Sequence, residues 1–127
     1  MSYKAPKTIQ VLSQTSINFL NTGVTTLFTS QSAMVIVGIT YYGVDVSGVI
    51  GNFLANYGWT GPNYDDFVMA GSSNVNSTGQ VDQSGFPGGG TPQIVLPAST
   101  AFRVNVTSGD PTATTDTQKV YIFGYEI

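Results

Sequence analysis

The sequence from residue 33 to residue 42 reads Ala-Met-Val-Ile-Val-Gly-Ile-Thr-Tyr-Tyr. Apolar and β-branched side chains occupy both alternating faces of this stretch, a pattern typical of a strand that is covered on both sides. It is also only about half of the roughly 20 residues that a membrane-spanning helix needs. We therefore predict a β-strand at the centre of the core and no membrane association.

Strand-like patterns continue on both sides of this stretch. Strand-like alternation of apolar and polar side chains occurs in residues 8–13, 15–20, 24–29 and 102–106, and residues 119–127 have similar character. Residues 108–117 read as a polar loop. No window of 11 or more residues carries the apolar stripe of a helix. Eight to nine strands are expected. The side chains expected to make up most of the core are Val35, Val37, Ile39, Phe102, Val104, Ile122 and Phe123. Because a parallel sheet would need crossover helices, we predict an all-β protein, an antiparallel β-sandwich that is jelly-roll-like.

The length of 127 residues fits one domain. Residues 1–7 are polar and lack the apolar core of a secretory signal peptide, so we predict a flexible N-terminal arm there. Residues 8–127 are predicted to form a single sandwich domain. Residues 71–90 are rich in glycine and read as a loop. A loop of that length is expected to be functional or held by a partner.

The composition excludes several classes of function. The chain has no His and no Cys, so the commonest general base and most zinc, haem and iron–sulfur ligand sets are missing. We predict no enzyme activity and no cofactor. Four basic residues cannot neutralise a phosphate backbone, which excludes nucleic acid as a partner. Only 9% of the residues are charged, against roughly 25% in an average soluble protein.

The aspartates offer an alternative, a calcium site. Four of them lie in or near predicted loops and could supply oxygen ligands. Their spacing matches no calcium-loop motif, and the prediction is that no metal binds. The four are Asp45, Asp82, Asp110 and Asp116.

Residues 56–65 read Asn-Tyr-Gly-Trp-Thr-Gly-Pro-Asn-Tyr-Asp and form the most suggestive candidate site. Aromatic rings beside amides and carboxylates can stack on sugars while bonding their hydroxyls. The same rings could dominate a protein interface, or anchor a loop to the end of the sandwich. The candidate partner or glycan contacts are Tyr57, Trp59, Asn63 and Tyr64.

Four stretches together resemble the small β-sandwich proteins of tailed-bacteriophage virions, of the capsid cement or decoration type. They are Val-Thr-Thr-Leu-Phe-Thr at 24–29, the apolar strand at 33–42, Leu-Pro-Ala-Ser-Thr-Ala-Phe-Arg-Val-Asn-Val at 96–106 and Val-Tyr-Ile-Phe-Gly-Tyr at 120–125. This resemblance covers about half of the chain.

The resemblance implies a non-catalytic structural virion protein, assembled in the host cytoplasm and commonly homotrimeric. Its implied partner is the major capsid protein or another virion protein. We expect Lys4 and Lys7, on the N-terminal arm, to reach an acidic neighbour. The alternative is a receptor- or glycan-binding module of a phage tail or fibre.

Overall fold

Antiparallel strands make up most of the part of the chain that the computed structural model describes, which is residues 8–60, 65–82 and 94–127. Those residues contain no helix. The strands are β1 (Gln10–Asn18), β2 (Gly23–Thr29), β3 (Met34–Gly48), β4 (Leu54–Thr60), β5 (Asp65–Gly71), β6 (Val81–Asp82), β7 (Ile94–Leu96), β8 (Ala101–Ser108) and β9 (Ala113–Glu126).

The strands form two sheets. The first has the order β1-β9-β3-β6, with β7 also pairing with β3, and the second has the order β2-β8-β4-β5. All the pairings are antiparallel. The all-β antiparallel sandwich with nine strands is thus confirmed, and the strand order is consistent with the jelly-roll-like winding that the sequence predicts.

The strand predicted at residues 33–42 lies inside the first sheet, between β9 and the short strands β6 and β7. Its Met34, Ile36 and Ile39 side chains belong to the core. The strand continues to Gly48 rather than ending near residue 43, because β9 pairs with it as far as Gly48. Val35 is buried on the opposite face, outside the core cluster. On that face Val35 is in register with Tyr125 of β9 and Val95 of β7.

The core lies between the inner faces of the two sheets. Of the side chains that the sequence pattern places in the core, Ile39, Phe102, Val104 and Ile122 lie there. The prediction is wrong for Val37 and Phe123, which are half-buried and outside the buried core. The physical reason for Phe123 is the period of two in β9, which turns Ile122 inward and Phe123 outward.

Bulges explain where the predicted strand limits differ from the structure. The sequence suggests two strands at 8–13 and 15–20, whereas one strand, β1, covers both. A shift of register between Val11 and Ser13 interrupts the alternation there without ending the strand. The predicted polar loop at 108–117 is also too long, because β9 begins at Ala113.

The glycine-rich segment predicted as one long loop packs on β3 in its first half. The Val75 side chain is fully buried in the core. The Thr78 hydroxyl accepts a hydrogen bond from the Val46 N–H at 2.9 Å. A Cβ at Gly43 would lie 2.6 Å from the Ser77 carbonyl oxygen, so the close approach of this segment requires glycine. Residues 83–90 lie outside the described residues.

Candidate contact sites

The Tyr57 side chain lies inside the sandwich, although the sequence analysis counts it among the surface contacts. Tyr57 of β4 is opposite Val104 of β8, and its exposed fraction is 0%. Its hydroxyl and the Tyr41 hydroxyl form a buried hydrogen bond, and burial raises the pKa of both groups. A Cβ at Gly71 would lie 2.9 Å from the Tyr57 ring, so glycine is needed beside this pair. Tyr57 is therefore an interior anchor rather than a contact to a partner or a glycan.

Of the predicted contact residues that lie in the described part of the chain, Trp59 is the one near the surface. Its side chain is half-buried and packs against the core, because it follows Tyr57 by two residues and is opposite Phe102. The structure does not bring Tyr57 and Trp59 together as an open aromatic platform. The remaining predicted contacts lie outside the described residues: Lys4, Lys7, Asn63 and Tyr64.

An apolar surface that the sequence analysis does not single out lies on the outer face of the first sheet. Cross-strand register brings Val11 beside Phe123, and Val35 beside both Tyr125 and Val95. Val95 and Val11 are 58% and 47% exposed. We call this surface the outer patch. It consists of the exposed Val11 and Val95 and the half-buried Tyr121, Phe123 and Tyr125, together with the buried Val35 beside them.

The outer patch has a recognisable origin in the sequence. Residues 120–125 read Val-Tyr-Ile-Phe-Gly-Tyr, which is apolar on both faces of a strand. One face fills the core, and the other presents stacked Tyr121 and Phe123 rings, with centroids 6.4 Å apart. Apolar side chains grouped on the outer face of a sheet make this surface a candidate site of interaction.

A buried carboxyl pair lies at one end of the sandwich. The Asp110 Oδ1 atom accepts hydrogen bonds from three backbone N–H groups, those of Gly51, Thr112 and Ala113, at 3.1–3.2 Å. The Asp116 carboxyl is within hydrogen-bonding reach of Asp110. Both side chains are buried. The arrangement ties the turn before β9 to the segment that leads into β4.

The two carboxyl groups of this pair titrate in opposite directions. Burial alone would raise the pKa of Asp110, but its backbone hydrogen bonds hold that pKa below the usual value. Burial raises the pKa of Asp116 to about 6, with the Asp110 carboxylate adding to the shift and a 2.7 Å hydrogen bond from the Gln118 amide opposing it. A proton on Asp116 would supply the donor that Asp110 Oδ2 otherwise lacks among the described residues.

This pair predicts a pH dependence of stability. Because the pKa of Asp116 is higher in the folded than in the unfolded chain, the free energy of unfolding should rise as the pH falls from 7 through 6 toward 4. Asp116→Asn should remove most of this slope and stabilise the protein at pH 7, since its amide can donate to Asp110. Urea unfolding across this range measures the effect. Asp45→Asn, at an exposed position, is the control and should keep the wild-type slope; a wild-type slope in Asp116→Asn would contradict the prediction.

Asp45 and Asp82, which the sequence places in or near loops, lie in the strands β3 and β6 and accept hydrogen bonds from neighbouring segments. Asp45 accepts one from the Thr115 hydroxyl at 3.1 Å, and Asp82 accepts one from the Asn74 N–H at 2.7 Å. Over residues 8–60, 65–82 and 94–127, no group of three or more His, Cys, Asp or Glu side chains could hold a metal ion. Within the same ranges, no helix is long and apolar enough to cross a membrane.

Comparison with known proteins gives a likeness of fold. No protein-family model matches the chain, and no curated protein matches it. Among solved structures, the chain is similar to one described as "Cyanophage Pam1 capsid asymmetric unit", with 19% sequence identity and a TM-score of 0.55. The match covers 100% of this chain and 94% of that chain. The two chains share a fold over nearly their whole lengths.

Proposed function

We propose that this chain is a non-catalytic structural protein of a bacteriophage virion, and specifically a cement or decoration protein on the head. The observation that carries the proposal is the similarity over the whole chain to a structure from a cyanophage capsid. In this proposal the protein assembles in the host cytoplasm, forms a homotrimer and contacts the major capsid protein or another virion protein.

The surface chemistry supports a role in assembly. A cement protein stabilises a particle by binding the assembled state, so that its binding energy adds to the stability of the shell. Ser, Thr, Asn and Gln account for 43 of the 127 residues, and such side chains form hydrogen bonds without the desolvation cost of charges. The outer patch adds apolar area that is available for burial. We assign it as the face that contacts the capsid.

Salt is therefore not expected to weaken the attachment of the protein to the phage head. The chain has only 11 acidic and basic side chains, too few for a charged interface of standard size. Occupancy on phage heads that lack the protein should be equal or higher at 1 M than at 0.1 M sodium chloride, because salt screens charges while favouring apolar burial. Release at 1 M would contradict this. A Lys4→Ala/Lys7→Ala variant tests the N-terminal arm. Any loss of binding at 0.1 M sodium chloride measures how much the two lysines contribute to attachment.

Co-sedimentation with those heads also tests the proposed function. Val95→Asp, in the outer patch, should lower the affinity by about tenfold or more, since it places an unpaired carboxylate in a buried contact. Val49→Asp is the matched control, because Val49 is exposed and lies outside the outer patch. Failure of the wild-type protein to co-sediment, together with binding to a glycan array, would favour the receptor-binding alternative.

A further inference from the structure

The two sheets each present one long edge strand, and these two edges lie next to each other. Over the described residues, β1 pairs only with β9 and β2 pairs only with β8. Hydroxyl groups of β1 reach β2 directly, since the Ser13 and Thr15 side chains both donate to the Leu27 carbonyl oxygen, at 3.0 and 3.2 Å. The outward backbone groups of both strands are thus available on one side of the sandwich.

The sequence guards the opposite edges against strand addition but leaves this side unguarded. On the first sheet, the far edge consists of β6 and β7, which have two and three residues. On the second sheet, β5 begins with the acidic pair Asp65 and Asp66. Short strands and charges are devices that prevent edge pairing. Neither β1 nor β2 contains a charged residue or a proline, although they have nine and seven residues.

The regular parts of the two edges meet at an open cleft. The bulges lie at the other end, at Val11/Ser13 in β1 and Thr26/Phe28 in β2, where the Ser13 and Thr15 hydroxyls close the seam. Beyond them the seam opens into a cleft of about 260 Å³. No acidic or basic side chain lines it. The lining residues on the edge strands are Ser16, Ile17, Asn18, Gly23, Val24 and Thr25.

We propose that β1 of one copy pairs with β2 of the next copy along these edges. A second copy is the fitting occupant because every copy offers both edges, and because neither edge carries charges that would repel the other. The two edges belong to different sheets, so the pairing is head-to-tail, and head-to-tail contacts of this kind close into rings. The inference deepens the proposed homotrimer and rests on the proposed function for the number of copies.

Sedimentation velocity of the full chain with charged edge variants tests the pairing. The wild-type protein should sediment at about three times the chain mass of 13.4 kDa. Ser16→Lys and Thr25→Lys place a charge on β1 and β2 at exposed positions, and each should raise the dissociation constant by about tenfold or more. Thr107→Lys, at an exposed position of the interior strand β8, is the matched control and should remain wild-type.

Thermal melting of each variant separates lost pairing from lost folding, since the edge variants should melt cooperatively as monomers. A monomeric wild-type protein, or edge variants that keep the wild-type mass, would overturn the pairing. Dissociation by Ser16→Lys but not by Thr25→Lys would overturn the head-to-tail arrangement. None of these results depends on phage heads, so the proposed function fails separately, by the co-sedimentation test.

Discussion

Gly124→Ala is expected to destabilise the fold by more than about 3 kcal/mol, and the variant should accumulate as unfolded or insoluble chain. The alanine Cβ would lie 2.0 Å from the backbone carbonyl oxygen of Val35, in the adjacent strand β3. A flexible side chain could move away, but this carbonyl belongs to the pairing between the two longest strands. Urea unfolding monitored by circular dichroism measures the loss.

Gly38→Ala is the matched control for that substitution. Gly38 lies in β3 opposite Phe123, and a Cβ there would meet no heavy atom within 4 Å. Its free energy of unfolding should change by no more than about 1 kcal/mol. Equal stability of the Gly124→Ala and Gly38→Ala variants would show that β3 and β9 do not approach as closely as described.

Phe19→Ala should cost about 3–5 kcal/mol, the range for removing a fully buried aromatic side chain. The Phe19 ring has no exposed surface and stacks on Phe53, with centroids 3.9 Å apart. The Phe19 and Tyr41 rings also meet edge to face, with their centroids 5.9 Å apart. The substitution would leave a cavity between the two remaining rings, Phe53 and Tyr41. Chemical denaturation gives the difference directly.

Phe123→Ala provides the comparison with a half-buried ring. Phe123 lies in the outer patch, so its loss removes contacts on one face only and should cost clearly less than Phe19→Ala. It should also weaken binding to phage heads, which Phe19→Ala should affect only through folding. A larger stability loss for Phe123→Ala would contradict the division between core and outer face.

Much of the fold could be predicted because β-strands produce local patterns of apolar side chains in the sequence. Residues 33–42 are apolar on both faces, and residues 34–42 do form the first part of the internal strand β3. The limits of the strands are harder to predict. A bulge such as that between Val11 and Ser13 interrupts the alternation of side chains without ending the strand. Pairing with a distant strand decided those limits, and pairing is not visible in a local window.

The contact residues were predicted less well for a related reason. Tyr and Trp occur both inside a sandwich and on its surface, so the composition of residues 56–65 does not show whether their side chains face the core or the solvent. Cross-strand register decided that Tyr57 faces Val104 in the interior. Conversely, the outer patch was present in the sequence as the two apolar faces of residues 120–125. One of these faces lies on the surface because the second sheet packs on the other face of β9.

A cryo-electron microscopy reconstruction of a phage particle that carries this protein tests the central claim most directly. The proposed function predicts density for the nine-stranded sandwich at repeated, symmetry-related positions on the head, with the outer patch against the shell. Sandwich density confined to a tail or fibre, or a head without it, would contradict the assignment as a head cement protein.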